Sequence, residues 1–580
     1  MRGKLGLFLL GWILILAGGF VANKIQTTNG VTLSDVRFPG EQGVTISGLL
    51  YTPAGATAAH PAPAVLLSHG YINTREMQSP FAIELSRRGF VVLAMDMTGH
   101  GYSTGNVGAQ GFGGPAALAY LQRLPMVDRN NVGLEGHSMG GGPVLAAALS
   151  QPQGYRSMVL EGSTLGLFGP APPASVSFPH NLAIVFGQYD EFAPLMWQVP
   201  RGADLPNAKR LKDLFGASFP VIAGKIYGDL GTGTGRALYV PPVTHPWEHF
   251  SQAGVGHAVG WFQMTLAGAP SSLSPYDHIW IWKEVGTLAA FIGLVLLILG
   301  SFEILLATPI FATMAKPAQP AVETRGLMWW ATLLLTTAIP ALSFFFFMKL
   351  GMLFIPTRLM PQWVHNQLLV WALLNGAIAV GLSFVLRNPP PNFSYHGLRA
   401  VLIAVLTVGV GYLSLVLVDH LFKVDFRFWV LGLKPLDALH GRYFAAYLIP
   451  WMVFFLVSAR AMTAGLAVRG EGAVAAYVTA AAAQALGFVV LLAAQYGALF
   501  SGGILLTPSE PLSTIIAIQF VPLLAIVGLI CAFTYRRTNS TVPGAVICAL
   551  FVCWYVTAGT ATHWAPDFKV PARTPAAATK

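Results

Sequence analysis

A chain of 580 residues that is 54% hydrophobic but only 10% charged, with a mean hydropathy of +0.59, is neither an ordinary soluble enzyme nor a disordered polymer. Soluble domains carry about 25% charged residues, and this length exceeds one ordinary domain. The net charge of +10 is scattered rather than gathered, which leaves no nucleic-acid footprint, and the three cysteines, Cys531, Cys548 and Cys553, all lie in late apolar segments, which removes disulfides and thiolate metal sites from everything before them.

The apolar bias is uneven along the chain. From about residue 23 to 280 the sequence alternates as a globular protein does, and from about 285 to 560 it is a series of long apolar runs. A soluble domain is therefore joined to a membrane domain. Before both, Arg2 and Lys4 precede an apolar run over residues 5–22. That run reads as a retained anchor, since about 20 residues span a bilayer. A cleaved signal peptide is the alternative, because Ala17, Gly18 and Gly19 are small.

Residues 31–38 and 44–51 alternate as the strands of a hairpin. Residues 64–68 form a continuous apolar strand ending at His69-Gly70-Tyr71. A helix over 80–88 follows, then a buried strand over 90–95 ending in Asp96-Met-Thr-Gly-His-Gly-Tyr-Ser103. After a helix over 115–124, a short strand over 132–135 runs into Gly136-His137-Ser138-Met139-Gly140. This last stretch matches G-x-S-x-G, a sharp strand–turn–helix bend that lifts the serine hydroxyl above a sheet. Bulk at Gly136 or Gly140 would clash there, and the bend leaves the Met139 N–H free to face an oxyanion. Continuous apolar strands separated by helices predict a parallel sheet covered on both faces.

Three motifs in this order, His69-Gly70, Asp96-x-x-Gly99-His100-Gly101-x-Ser103 and Gly136-His-Ser-Met-Gly140, resemble those of the α/β-hydrolase superfamily, over about residues 31–268. The resemblance implies an α/β-hydrolase fold and a chain order of Ser, then Asp or Glu, then His. Ser138 is then the nucleophile. Asp190, just past the strand at 181–186, is the acid, with Glu191 its local competitor. The base belongs after the strand at 237–243. His245, two residues beyond it, is the choice, with His249 and His257 as competitors, and His257 falls inside a final helix capped by Ser251. The resemblance also assigns the Tyr71 N–H to the oxyanion hole beside that of Met139, and leaves His69, His100 and Asp96 to support the surrounding loops.

Between the strands at 157–161 and 181–186 there is no room for a large lid. The glycine-rich stretch 228–235 reads as a hairpin tip, because it lacks the lysine and following helix of a phosphate loop. His245, Glu248 and His249 do not make H-E-x-x-H, since Pro246 and the displaced glutamate break it, so neither a metal nor any other cofactor is expected.

Eight apolar runs follow, at about 285–309, 327–354, 367–386, 398–421, 441–458, 473–500, 511–533 and 541–560. With the N-terminus inside, the cytoplasmic side receives Arg2, Lys4, Lys316, Arg325, Arg387, Arg399, Arg460, Arg469, Arg536 and Arg537. The other side receives Arg358 and the opposing cluster Lys423, Arg427, Lys434 and Arg442. This places the hydrolase-like part outside a plasma (inner) membrane. Glu303, Lys349, Asp419 and His420 fall near helix ends, and Asn375, Gln484 and Gln495 are uncharged, so no transport pathway is marked.

The expected organisation is an anchor at 1–22, an α/β-hydrolase domain at 23–280, an all-α membrane domain of about eight helices at 281–562 and a disordered tail at 563–580. The expected activity is cleavage of a carboxylic ester, or less readily an amide, through an acyl-enzyme. The partners are then a small acyl or lipid-like ester and membrane lipids, with the oligomeric state open. Two alternatives remain: a transporter or sensor whose hydrolase-like part only binds, and a membrane-bound serine peptidase.

Overall fold

A computed structural model describes residues 5–167, 172–268, 271–385, 396–462, 464–560 and 562–566. Arg2, Lys4 and Arg387, counted above for orientation, lie outside the described residues, as does the tail from 567 onward.

The first half contains α1 (Gly6–Gln26), β1 (Thr32–Pro39), β2 (Thr45–Thr52), β3 (Ala62–Ser68), α2 (Ser79–Ser86), β4 (Val91–Met95), α3 (Gly114–Gln122), β5 (Val127–His137), α4 (Gly141–Ser150), β6 (Ser157–Glu161), β7 (Leu182–Val185), α5 (Ala193–Met196), α6 (Lys209–Phe215), β8 (Ile226–Tyr227), β9 (Arg236–Tyr239) and α7 (Gln252–Thr265). The strands form one sheet in the order β1-β2-β4-β3-β5-β6-β7-β9-β8. From β4 to β9 all neighbours are parallel, while β1 and β2 at one edge and β8 at the other run antiparallel. The apolar residues of β3 to β7 are buried on both faces, because helices cover each side: α3, α4 and α6 pack on one and α2 and α7 on the other. The stretch 228–235 joins β8 to β9, as a hairpin tip does.

The second half contains α8 (Trp280–Leu306), α9 (Leu327–Leu342), α10 (Phe344–Gly351), α11 (Trp363–Val385), α12 (Leu398–Phe422), the small hairpin β10 (Phe426–Phe428) and β11 (Leu431–Leu433), α13 (Ala438–Met462), α14 (Ala473–Gly502), α15 (Pro511–Thr538) and α16 (Val542–Thr560). Among the described residues eight helices are long and apolar enough to cross a membrane. There are up to nine if α9 and α10, bent by 47° at their junction, form one span.

α1 belongs to this bundle. Gly11 and Gly18 lie against Gly293 and Gly286 of α8, so close that a Cβ at any of the four would meet backbone of the other helix. The seven-residue spacing on both helices keeps the glycines in one seam, which lets the backbones approach. At its far end, Gln26 donates to the carbonyls of Phe422 and Lys423 after α12, at 3.0 and 3.2 Å.

The two halves are joined by more than the connector. Glu84 of α2 accepts the N–H groups of Ile279 and Trp280 at 2.7 and 3.1 Å, holding the start of α8 on the sheet domain. The β10–β11 hairpin docks through charged side chains: Lys434, just past β11, meets Glu76, and Arg427, steadied by its neighbour Asp425 at 2.8 Å, donates to the Thr74 hydroxyl at 3.3 Å. Burial opposes the Glu76 charge, but Lys434, Arg75 and Arg427 outweigh it and hold that carboxyl well below the usual range. Two members of the basic cluster that opposes the orientation above, Arg427 and Lys434, are therefore buried in this junction.

Residues 563–566, the first of the expected tail, are among the described residues. His563 donates its N–H to Gly99 O at 2.6 Å and accepts the Val107 N–H at 2.9 Å, so residues 562–564 lie along the loop after β4. An imidazole and an indole that find buried partners hold the chain past the last helix.

Candidate functional site

β5 ends in the bend at Ser138, whose φ of +55° is a left-handed conformation that a non-glycine residue holds only under constraint. The constraint is packing. A Cβ at Gly136 would run into Gly140 O, and one at Gly140 into Ser68 O at the end of β3. With both positions glycine, the strand, bend and helix α4 close on themselves and the Ser138 hydroxyl stands above the sheet. Met139, at the start of the helical turn, has no intrahelical acceptor for its N–H. Gly70 brings the backbone of 70–71 alongside: a Cβ there would be 3.0 Å from Ser138 Cβ.

Of the three candidate histidines, the structure brings His245 to Ser138. Its Nε2 is 2.9 Å from Ser138 Oγ and its Nδ1 is 2.8 Å from Asp190 Oδ2. A proton on Nδ1, donated to Asp190, leaves Nε2 to accept from the hydroxyl. Asp190 is held in turn by the Phe192 N–H at 2.6 Å. The imidazole lies between the rings of His137 and Phe192, at centroid distances of 4.9 and 4.7 Å. Burial disfavours its charged form, but Asp190, by charge and hydrogen bond, and then Glu191 outweigh this and raise its pKa above the ordinary value.

His249 packs edge-on against His137, and burial, followed by the neighbouring His245, lowers its pKa to about 3. His257 lies inside α7, stacked on Tyr239 and hydrogen-bonded to Tyr276, away from the serine. His69 accepts the Met97 N–H through Nε2 and donates Nδ1–H to Gly70 O. Asp96 accepts from Ser47 Oγ and from the N–H groups of Arg75 and Tyr102. These two residues, like His100 on Thr98 O, brace loops.

Glu191 does not compete with Asp190 for the ring. Its Oε2 accepts the His245 N–H at 2.8 Å, while its Oε1 accepts the Tyr496 hydroxyl from α14, also at 2.8 Å. Burial, then the Asp190 charge, push its carboxyl up to about 7. Glu248 lies behind the ring, accepting the Gly187 N–H through Oε1. Burial, then Asp190 and Glu161, raise its pKa well above the usual range.

His137, His245 and Glu248 offer ligand atoms within 4.8 Å of one another. Both His245 nitrogens are already committed to Asp190 and Ser138, so a cation there would have to dismantle that arrangement.

Ser138 opens into a cavity of about 280 Å³. Its floor is the sheet domain: Tyr71, Met139, His245 and the α5 residues Leu195 and Met196. Its roof comes from the helical half: Trp363, Val430, Leu512, Ile515, Gln519 and Trp564. Trp564 donates its indole N–H to Tyr71 Oη at 3.1 Å, and Trp429 donates to Pro246 O, the residue after His245. The lid missing between β6 and β7 thus has a counterpart in a different part of the chain. No motif marks these roof residues. The only trace in the sequence is His563-Trp564 standing alone after the last apolar run.

Chemically, the arrangement offers a hydroxyl whose proton has an acceptor, an acid that fixes that acceptor's tautomer, and N–H groups at the cavity edge beside the hydroxyl. Comparisons with known proteins concern the same region. Residues 63–211 match a family described as the alpha/beta hydrolase fold. A quorum-quenching protein AidA of Acinetobacter baumannii is 34% identical over 121 residues, which are 20% of this chain and 38% of that protein. A monoacylglycerol lipase of Mycolicibacterium smegmatis is 30% identical over 158 residues, 25% of this chain and 52% of that protein. The chain therefore spans about half or less of the length of these curated relatives. Among solved structures, a bacterial heroin esterase aligns at 18% identity and a TM-score of 0.31, covering 44% of this chain and 89% of its own. The Pyrococcus furiosus esterase Pf2001 aligns at 17% and 0.31, covering 41% and 92%.

Proposed function

We propose that this chain, which carries an α/β-hydrolase domain on a bundle of apolar helices, is a membrane-bound serine hydrolase that cleaves carboxylic esters. The single observation that carries the reading is the continuous path Ser138 Oγ–His245–Asp190, with hydrogen bonds of 2.9 and 2.8 Å, at the bottom of a cavity. Resemblance to the monoacylglycerol lipase favours an ester over an amide.

In the proposed reaction His245 Nε2 takes the Ser138 proton as Oγ attacks the carbonyl carbon. The C–Oγ bond forms and the carbonyl π pair moves onto oxygen, opposite the N–H groups of Met139 and Tyr71. Collapse breaks the bond to the alcohol oxygen, which leaves with the proton held on His245. Water then repeats the sequence, returning the acid and free Ser138. Asp190 stabilises the imidazolium in both halves without taking its proton.

The hydrolase domain is assigned to the extracytoplasmic face. Lys316 is bonded to Arg537 O, Arg399 to Thr313, and Arg325 to Glu471, which gathers these basic residues at the end of the bundle remote from the sheet domain. The near end keeps Lys349, Arg358, Lys423 and Arg442, with Arg427 and Lys434 taken up by the junction. The α1–α8 glycine seam supports α1 as a retained anchor.

Labelling of the full-length protein with a fluorophosphonate probe tests the reading. Wild type should label and hydrolyse p-nitrophenyl esters. Ser138→Ala should lose the label and at least about 10³-fold in kcat. Labelling that survives the substitution puts the nucleophile elsewhere.

A further inference from the structure

The roof of the cavity is the unusual part of the site. Leu512, Ile515 and Gln519 follow one another at i, i+3 and i+7 along the first turns of α15, which sets them on one face of the helix. Such a stripe in a helical bundle ordinarily packs on another helix. Here it lines the void above Ser138, beside Trp363 at the start of α11 and Val430 at the tip of the β10–β11 hairpin. The wall is mostly apolar and shielded from solvent: Ile515 is 7% exposed and Trp363 8%, while Leu512 and Gln519 are half-buried. Gln519 is its one amide. Its Oε1 accepts the Tyr555 hydroxyl, while its amide nitrogen donates to no group among the described residues.

Leu195 of α5 lines the cavity and is 53% exposed, so one side of the lining reaches the surface of the protein. Trp363 also ties the wall to the chain after α10 by donating to Met352 O at 3.3 Å. The next residues there, Leu353 and Phe354, are 75% and 62% exposed, at the end of the bundle that meets the hydrolase domain. A shielded apolar wall facing the Ser138 hydroxyl, with exposed apolar side chains on the adjoining segment, suits a hydrocarbon chain arriving from the bilayer and not a water-borne polar ester.

We propose that the helical bundle is the chain-binding wall of the active site. The substrate is a lipid ester whose hydrocarbon chain lies along Leu512 and Ile515 while its carbonyl meets Ser138, and Gln519 donates to a polar group of that lipid. This rests on the serine-hydrolase reading above and adds the substrate class to it.

The test uses the full-length protein in detergent or nanodiscs with p-nitrophenyl esters from acetate to laurate. Each methylene buried against the wall should raise kcat/KM about three- to fourfold until the cavity is filled. Ile515→Trp and Leu512→Trp each fill the wall and should lower the laurate-to-butyrate ratio at least tenfold, while a small fluorophosphonate still labels Ser138. Two variants are used so that whichever keeps the label carries the measurement, and the wild-type profile needs neither. A flat wild-type profile, or a ratio unmoved in a labelled variant, overturns the proposal. A wild type that takes no label sinks the hydrolase reading itself, and the wall with it.

Discussion

The floor and the roof of the cavity are built by different rules. The floor fixes single atoms. A strained serine, two glycines with no room for a Cβ and a chain of short hydrogen bonds hold Oγ, Nε2 and a carboxylate in line. The roof fixes a surface, and Trp363, Val430, Leu512 and Ile515 supply apolar area with little directional bonding. Bond making tolerates errors well below an ångström, so the floor needs particular residues at particular spacings. Holding an apolar chain needs only shape and dryness, which many side chains provide.

The two surfaces meet at the loop that carries His245. The Tyr496 hydroxyl reaches it through Glu191, and Trp429 reaches it through Pro246 O. The bundle therefore bears on the proposed base as well as on the cavity.

Substitutions can separate the two contributions. Asp190→Asn should cost the most, about 10³- to 10⁴-fold in kcat with folding intact, because an amide no longer selects the Nδ1–H tautomer. A stopped-flow measurement with a short ester reads it, and a loss under tenfold would mean that Glu191 or Glu248 can stand in. Gly18→Leu should separate α1 from α8 and destabilise the protein by about 1–3 kcal/mol, read as a lower thermal midpoint of the purified protein. An unchanged midpoint would make α1 dispensable to the bundle. Tyr496→Phe removes one buried hydrogen bond to Glu191 and should lower kcat/KM about fivefold, the effect of about 1 kcal/mol, with esters of every chain length. A loss confined to long chains would assign Tyr496 to the roof.

The smallest effect is in the pH profile. In the proposed mechanism activity needs neutral His245, so the acid limb should follow its raised pKa. Glu191, titrating at about 7, is charged above that pH and then favours the imidazolium. Glu191→Gln removes that charge, lowers the His245 pKa and should move the acid limb of kcat/KM to lower pH. A limb that stays put, or moves up, would show that Glu191 acts only through its hydrogen bond to the backbone.

The residues of the floor were legible because their chemistry imposes local patterns. Gly136-x-Ser138-x-Gly140 is a steric requirement written in five positions, and the continuous apolar strands follow from a sheet covered on both faces. His245 was harder, since three histidines within thirteen residues satisfy the same chain order, and only the folded geometry, which puts His245 within hydrogen-bond reach of both Ser138 and Asp190, distinguishes them. Glu191 and Glu248 had no signature, because a carboxyl's pKa is raised, and its bridging hydrogen bonds are made, only by what surrounds it.

By itself the sequence determined two regimes of burial, a strand–helix alternation and a run of spanning-length helices, because periodicity and hydropathy are local properties of the chain. It also determined the serine's bend, since a Cβ at Gly136 or Gly140 would meet backbone there. Only the tertiary structure decided that α15, the β10–β11 hairpin and Trp564 return to close the space above Ser138. Those contacts join positions up to 493 residues apart, as Trp564 on Tyr71 does, and an apolar face carries no mark of which surface it will cover.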